Sequence, residues 1–356
     1  MARGAMRSFQ GVCSSLRYGM IRAGLELAAV PFVRKLFSGA AGRGVIFTLH
    51  HVRPAHVERF SPNAHLSVTP EFLEEAINVA INEGLTPVHL HDLPTLLGDK
   101  ADRRSFVAFS LDDGYRNNAE FAAPIFRKFS VPYTIFVNPG FVERKRSAWW
   151  ETAEAFVRKA SSFEFDFGNG SEHVRCGTLH EKLAAFDRFT TFVKAIDEDE
   201  AVGRIDAVAQ LHGVSPIGII EELVMNEAEL RQLAQDPLVH FGAHTMNHLN
   251  LRRVAEDRLH QEIEQSAAAI ERYVGQKPRS FSYPYGWPTA VGKRETSAIA
   301  EAGFAVGVTT QPGVLNCNSL QSLMRLPRVS LNGYYQKPRY VKALISGVPF
   351  KFLRNN

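Results

Sequence analysis

Short apolar runs alternate along the chain with longer segments whose apolar residues recur every three or four positions. The runs are typical of strands buried on both faces of a parallel sheet, and the periodic segments of amphipathic helices. Strands are predicted at 44–49, 86–90, 106–109, 133–137, 238–243, 280–283, 304–308 and 326–331. Helices are predicted at 69–84, 91–97, 117–129, 226–235, 255–274 and 292–302. This alternation, repeated about seven times, favours a closed or nearly closed β/α barrel over an open sheet.

The alternation stops between residues 141 and 225, which contain a Trp149-Trp150 pair, several predicted helices and a glycine-rich turn at 167–170. Segments of this length in an α/β domain commonly shape a binding site or contact a partner. No Pro/Gly/Ser linker separates the segment from its surroundings. We therefore interpret it as a helical insertion within one domain that spans residues 44–331.

Both ends of the chain mix basic and apolar residues. Residues 1–43 form a basic amphipathic segment, and residues 332–356 form a basic aromatic tail. The favoured interpretation is a helix packed on the domain, and a membrane-surface helix is the alternative. No apolar run reaches the length of a membrane span, and no apolar core of signal-peptide type follows Arg3 and Arg7. We expect a cytoplasmic protein, with peripheral contact at the inner membrane as the alternative.

Composition narrows the class of protein only a little. A hydrophobic content of 45% and a charged content of 22% are ordinary for an enzyme. The net charge of +4 over 356 residues gives no case for nucleic-acid binding. The three cysteines, Cys13, Cys176 and Cys317, are widely spaced and form neither a metal-type pair nor a disulfide framework.

The strongest chemical signal is the stretch FVAFSLDDG at residues 106–114, where a buried strand ends in Asp112 and Asp113. The carboxyl ends of parallel strands are where α/β folds place their ligands. Two carboxylates this close repel each other in a half-buried site unless a cation or a shared proton intervenes. The pair therefore indicates a metal site, although an exposed Asp-Gly turn is the simpler alternative.

A second strand ends in the stretch VHFGAHTMNH, which carries His244 and His248. In a helical turn a spacing of four places both imidazoles on one face, where they can share a cation. Together with Asp113 they form a set of two histidines and one carboxylate, which suits catalytic Zn²⁺ or Fe²⁺ with one position open. Asp112 would then be free to accept a proton from a water molecule.

Aromatic residues surround a third strand end, FSYPYG at residues 281–286. Tyr283, Tyr285 and Trp287 offer flat faces that stack on sugar rings as well as in cores. We predict that Tyr283, Trp287 and Trp149 of the insertion contact the substrate.

The motifs SLDDG, HTMNH and YPYG, in this order, resemble the polysaccharide deacetylases of the NodB homology type, carbohydrate esterase family four. The resemblance covers residues 44–140 and 226–331, and it implies a distorted (β/α)7 barrel. It also implies that Asp112 is the general base, that Asp113, His244 and His248 hold a divalent metal, usually Zn²⁺, and that the backbone N–H of Tyr285 stabilises the oxyanion.

The sequence departs from the family pattern at two places. Ser282 stands where the family often has an arginine that contacts the base. Residues 326–329 read LPRV, without the family's Leu-x-His motif, whose histidine is the general acid. A subset of the family with a YPYG-type turn takes its acid from a histidine after the first strand. Here the candidate is His50, with His51 as its rival.

We therefore expect a metal-dependent hydrolase of linear amides, similar to polysaccharide and chitooligosaccharide deacetylases. It would remove N-acetyl groups from N-acetylglucosamine in an oligosaccharide, polysaccharide or lipo-oligosaccharide and release acetate. The alternatives are an O-acetyl esterase or another amide C–N hydrolase with the same site, an inactive carbohydrate-binding homologue, and a membrane scaffold. The glycan, the metal and the oligomeric state stay open at this point.

Overall fold

The computed structural model describes residues 18–55 and 58–351, apart from the side chain of Cys317. In chain order the strands are β1 Gly44–Leu49, β2 His51–Val52, β3 Ser67–Val68, β4 Leu85–Pro87, β5 Ser105–Leu111, β6 Tyr133–Val137, β7 Ser162–Asp166, β8 Ser171–Arg175, β9 Val239–Ala243, β10 Ser280–Ser282, β11 Val306–Val308 and β12 Val329–Ser330.

Helix α1 covers residues 18–29. The later α-helices are α2 Pro31–Leu36, α3 Pro70–Asn82, α4 Leu93–Gly98, α5 Ala123–Lys128, α6 Pro139–Val142, α7 Trp149–Lys159, α8 Leu179–Ala195, α9 Glu198–Leu211, α10 Pro216–Leu223, α11 Glu227–Leu233, α12 Glu256–Val274, α13 Lys293–Glu301, α14 Pro338–Ile345 and α15 Val348–Lys351. Short 3-10 turns join several of them.

The main sheet is parallel and curled. Its strands follow the order β11-β10-β9-β6-β5-β1-β12. Strand β4 pairs with the first part of β5, and β6 pairs with its last part. A bridge between Val308 and Leu326 brings the two ends of the sheet near each other. The predicted α/β class is confirmed, and the sheet with its surrounding helices forms a distorted, incompletely closed barrel.

Alternate residues of the strands pack into two apolar clusters because side chains in a strand point to opposite faces. In β5, Phe106 and Ala108 pack with Ile46 and Phe136 of neighbouring strands. The intervening Val107 and Phe109 belong to the larger cluster that the helices cover. The apolar run is therefore continuous because both of its faces are buried.

The insertion has its own apolar core, which includes Phe156, Phe163, Phe189 and Ile205. It consists of α7, an antiparallel hairpin formed by β7 and β8, and α8 to α10. The hairpin around the glycine-rich turn was not predicted. The single helix predicted at 117–129 is divided in the structure into a π-helical turn at Asn118–Ala122 and the α-helix α5.

The two chain ends lie against each other. Leu25 and Ala28 of α1 form a small cluster with Tyr340 and Ala343 of α14 and with Val348. Within the described ranges, no helix is long and apolar enough to cross a membrane.

Candidate active site

The polar motifs lie together at the carboxyl edge of the sheet. Asp112 and Asp113 follow β5, His244 follows β9, and His50 follows β1. Four of the six described non-glycine residues with positive φ are found in these motifs: Asp113, Thr245, His248 and Tyr285, with φ between 57° and 73°. Such backbone conformations are costly and persist where the surrounding structure enforces them, often at functional sites.

Asp113, His244 and His248 place one ligand atom each within 4.8 Å of one another. Oδ1 of Asp113 lies 3.6 Å from Nε2 of His244 and 3.6 Å from Nε2 of His248. Ligands bound to zinc at about 2.0–2.2 Å in a tetrahedral arrangement lie roughly 3.4 Å apart. The three side chains are therefore spaced to hold one such ion.

The surroundings of Asp113 also fit a cation. Its Oδ1 atom is buried and has no hydrogen-bond partner among the described residues. Burial, followed by the charges of Asp112 and Glu151, raises the pKa of Asp113 well above its ordinary value. Burial lowers the pKa of both histidines, so their imidazoles are neutral and can offer lone pairs. A divalent cation would compensate the buried carboxylate and satisfy its free oxygen.

Residue Ser282 orients the imidazole of His244. Nδ1 of His244 lies 2.6 Å from the Ser282 carbonyl oxygen, to which it donates. This contact leaves Nε2 free on the side of Asp113. Residues 244–250 are not helical, so the predicted helical turn is wrong. The positive φ values at Thr245 and His248 instead fold the loop so that both imidazoles face Asp113.

Neighbouring elements hold that loop in place. The side-chain amide of Asn138, after β6, donates to the His244 carbonyl oxygen. The Gly140 amide donates to the carbonyl of Met246 at 2.8 Å. A Cβ at Gly140 would lie 2.6 Å from the Asn247 side chain. Glu262 of α12 accepts hydrogen bonds from both the backbone and the side chain of Asn247, each at 2.8 Å. The second ligand is therefore positioned by contacts from α6 and α12.

Asp112 is compensated by a buried arginine. Arg328 donates from Nη1 to Oδ1 and from Nη2 to Oδ2 of Asp112, each at 2.7 Å. It also donates to Ser110 Oγ at 3.1 Å, to Ser282 Oγ at 2.9 Å and to the Thr309 carbonyl at 3.0 Å. Burial opposes ionisation of Asp112, but the Arg328 charge outweighs it and holds the pKa of Asp112 below its usual range.

Sequence reasoning missed Arg328 as a functional residue. It noted that Ser282 replaces an arginine and that residues 326–329 lack the expected histidine. The structure shows that these two departures meet, because Arg328 from the second segment reaches the carboxylate beside Ser282. The available signal was an arginine directly before the last, otherwise apolar strand. Its partner was not evident, because 216 positions separate the two residues.

The two histidines after β1 have different surroundings. His51 is buried, its Nε2 lies 3.2 Å from Glu151 Oε1, and its Nδ1 accepts from the Asn117 side chain at 2.8 Å. The backbone N–H of Val52 donates to Asn117 Oδ1, which fixes the orientation of that amide. The ring of His51 also contacts the ring of Tyr115, with the centroids 3.6 Å apart and the planes tilted by 31°. Both of its nitrogens are therefore engaged in the fold.

The imidazole of His50 is only partly buried, and it makes no side-chain hydrogen bond within the described part of the chain. Burial lowers the pKa of His50 to about 3, although the nearby charge of Asp112 acts in the opposite direction. His50 also interacts electrostatically with His248. Of the two candidates, His50 is the one whose side chain is available on the side of the site.

Tyr285 connects the site to the insertion. Its hydroxyl accepts from Trp149 Nε1 at 3.1 Å and donates to Glu198, the first residue of α9. Its ring stacks on Trp287 at 5.2 Å. The Tyr285 amide has no acceptor among the described residues, so it remains able to bind an oxyanion.

The predicted aromatic contacts fall into two groups. Tyr285 and Trp287 are partly exposed at the site, with Lys194 of α8 placed 4.5 Å from the Trp287 ring. Trp149 is buried beside them. Tyr283 is fully buried, and its hydroxyl donates to the Met324 carbonyl at 2.8 Å. Tyr283 thus belongs to the core and cannot stack on a sugar in this structure.

Residues 205–307 match the family model described as polysaccharide deacetylase. The matched range contains His244, His248 and Tyr285, and it ends before Arg328. The match agrees with the resemblance inferred from the motifs, and the folds of solved structures agree with it as well. Comparison with curated proteins found no match.

Three solved structures illustrate the similarity of fold. The deacetylase PplD of Streptococcus pyogenes, in complex with acetate, has a TM-score of 0.53 and 15% identity over 82% of this chain and 93% of that chain. IcaB from Ammonifex degensii has a TM-score of 0.52 and 14% identity over 86% and 98%. A putative polysaccharide deacetylase from Bacillus anthracis has a TM-score of 0.52 and 13% identity over 85% and 68%. The chain therefore has the fold of polysaccharide deacetylases.

Proposed function

We propose that this protein is a metal-dependent hydrolase that removes N-acetyl groups from N-acetylglucosamine residues of an oligosaccharide or polysaccharide. The observation that carries the proposal is that two adjacent carboxylates have different partners: one is paired with an arginine and the other faces two histidines. Arg328 keeps Asp112 ionised, whereas Asp113 faces two neutral histidines and one of its oxygens has no partner among the residues that the structure describes. This arrangement provides a base directly beside a cation site.

Asp113, His244 and His248 would hold the cation, and a set of one carboxylate and two imidazoles suits Zn²⁺. When bound, the ion would supply Lewis acidity, which polarises the acetyl carbonyl and lowers the pKa of a coordinated water. Asp112 accepts the proton of the attacking water at the carboxylate held by Arg328. Its low pKa keeps it ionised at neutral pH, so it is ready to act as a base.

Two further groups complete the reaction. The backbone N–H of Tyr285 donates to the oxygen that gains negative charge as the water attacks the acetyl carbon. The C–N bond then breaks, acetate forms, and the departing nitrogen takes a proton to give the free amine of glucosamine. We assign this proton to His50; because burial lowers the pKa of His50 to about 3 in the free protein, the role requires that the negative charge of the reacting group raises that pKa. The hydrogen bonds from Trp149 and to Glu198 fix the Tyr285 side chain and, with it, the backbone at this position.

The proposed substrate class rests on the aromatic surface and the matched family. Tyr285 and Trp287 present stacked rings beside the site, and such faces bind the C–H faces of sugars. A linear amide such as an N-acetyl group has the planar carbonyl that the Tyr285 amide and the cation would polarise together. Oligomers of N-acetylglucosamine, as in chitooligosaccharides, are the first substrates to test.

The test is acetate release from N-acetylglucosamine oligomers by the zinc-loaded protein. Asp112→Asn should lower the rate about 10²–10⁴-fold, the usual contribution of general acid–base assistance. His51→Gln serves as a control for substitution near the site. Acetate release at the same rate by wild type and Asp112→Asn would refute the assignment of the base. No release from any acetylated glycan would refute the proposed activity.

A second candidate is O-acetyl ester hydrolysis at the same site. It is favoured by the surroundings of His50, which has no carboxylate hydrogen bond like that between His51 and Glu151. An alkoxide leaving group needs less help from an acid than an amine does. The His50→Gln variant distinguishes the two activities: amide hydrolysis should fall strongly, whereas ester hydrolysis should fall much less. The product, a free amine or a free hydroxyl, identifies the natural bond.

A further inference from the structure

Helices α1 and α2 expose an unusual amount of apolar surface. The described part of the chain has twelve exposed large apolar side chains, and seven of them lie within residues 18–36. We call four of these seven the terminal apolar face: Met20, Leu27, Phe32 and Leu36. Phe32 is 72% exposed, and Met20, Leu27 and Leu36 are each 64–65% exposed. A concentration of exposed large apolar side chains in one short part of the chain indicates an interaction site.

The fold accounts for why this face is left uncovered. Leu25 and Ala28 of α1 point towards α14, where they pack with Tyr340 and Ala343. Helical periodicity therefore turns Leu27 away from the cluster that Leu25 and Ala28 bury. In α2, Phe32 and Leu36 are four residues apart and share one side of the helix. The helices are held on the protein by one side and expose apolar residues on another.

The basic residues are concentrated in the same terminal segments of the chain. Residues 1–43 and 332–356 together contain 12 Lys and Arg residues and a single acidic residue, Glu26. Residues 44–331 contain 29 Lys and Arg residues and 36 acidic residues. The small net charge of the whole sequence therefore conceals positive terminal segments and a negative central segment. Eight of the 12 basic residues lie in the described ranges 18–43 and 332–351. A partner attracted to the terminal region should be anionic.

The single acid is itself neutralised locally. Glu26 accepts hydrogen bonds from Arg339 at 2.8 Å and 2.7 Å, and Lys337 lies 3.7 Å away. These contacts tie α1 to α14. Glu83, which follows α3, pairs with Arg34 of α2 at 3.0 Å and with Lys342 of α14 at 3.3 Å. Lys35, in the last turn of α2, is exposed as well. Apolar side chains with neighbouring cations are the combination that binds the surface of an anionic bilayer.

We propose that the terminal apolar face docks the protein on the surface of an anionic lipid membrane. The apolar side chains would enter the boundary between headgroups and acyl chains, while the exposed Lys35 and the net positive charge of the chain ends attract the lipid phosphates. A second copy of this chain is the less suitable occupant, because two such faces would bring two strongly positive regions together. The proposal is independent of the hydrolase activity and of the metal.

Co-sedimentation of the full chain with vesicles tests this docking. Binding to vesicles of phosphatidylcholine mixed with phosphatidylglycerol should exceed binding to phosphatidylcholine alone, and it should weaken as salt screens the charges. The Leu27→Ser/Phe32→Ser variant should bind roughly tenfold or more weakly, because two exposed apolar groups are lost. Lys35→Gln should weaken binding to the vesicles that contain phosphatidylglycerol and leave binding to phosphatidylcholine vesicles unchanged.

Leu211→Ser is the matched control, since Leu211 is an exposed leucine, 85% accessible, on α9 of the insertion. It should bind vesicles as the wild type does, and circular dichroism should show that all variants are folded. Equal binding of wild type and Leu27→Ser/Phe32→Ser would overturn the proposal. So would no binding to anionic vesicles, or a stable dimer in light scattering that the same double substitution dissociates.

Discussion

The half of the site around Asp112 and the half around Asp113 begin with the same side chain in adjacent positions, yet their surroundings differ. Asp112 is held by the fork of Arg328 and has both oxygens paired. Asp113 faces two neutral imidazoles, and its Oδ1 has no hydrogen bond within the described residues. The protein thus compensates one charge by itself and leaves the other for a ligand. Adjacent carboxylates acquire different roles because their partners differ.

The first prediction is that substitution of Asp113 abolishes metal binding, whereas substitution of Asp112 impairs only proton transfer. Asp113→Asn should lose both the bound metal and activity, because a neutral amide is a poor ligand. Asp112→Asn should keep the metal and still lose about 10²–10⁴-fold in rate. Metal content after gel filtration, together with acetate release, measures both effects. If Asp112→Asn lost its metal as readily as Asp113→Asn, the division of roles would be wrong.

The second prediction concerns the Arg328 half. Arg328→Met leaves a buried carboxylate without its cation and should cost about 3–5 kcal/mol of the free energy of unfolding, measured with urea. The Asp112→Asn/Arg328→Met double variant should lose less than Arg328→Met alone, since no lone charge remains buried. Equal losses in the single and double variants would show that Arg328 acts through packing and not through its charge.

The pH dependence of that loss follows from the depressed pKa of Asp112. A group whose pKa is lower in the folded state stabilises the fold above its unfolded pKa, here near 3.8, and loses this contribution as pH falls further. The difference in unfolding free energy between wild type and Arg328→Met should therefore be largest near neutral pH and should shrink in acid.

The third prediction, which has the smallest expected effect, concerns the free energy of unfolding of the metal-free protein and the contribution of Asp113 to it. Because the pKa of Asp113 is raised, the chelated wild type loses stability as pH rises through that value. Asp113→Asn removes this penalty and should be more stable by about 1–3 kcal/mol when metal-free, with the gain growing as pH rises. Thermal unfolding with and without zinc measures it, and zinc should reverse the order. A less stable metal-free variant would contradict an uncompensated charge at this position.

Much of the site could be predicted from the sequence because its signals are local. Asp112 and Asp113 directly end an apolar run, and His244 and His248 directly follow another. Parallel strands bring such ends together at one edge whatever lies between them. The histidine spacing predicted that both imidazoles face one point, and the structure does bring them together beside Asp113. The geometry differs from the predicted one, since the loop uses positive φ at Thr245 and His248 and not a helical turn.

The sequence by itself determined the barrel strands, most of their helices and the motifs at the strand ends, because hydrophobic periodicity and chain adjacency act over short distances. Only the tertiary structure decided which side chains meet across the fold. It paired Arg328 with Asp112, and it buried Tyr283 while leaving Tyr285 at the site. Within the described ranges it also engaged the side chain of His51, but not that of His50, in hydrogen bonds. These outcomes depend on which face of each strand is covered and on contacts between distant segments. A local sequence pattern predicts neither of these.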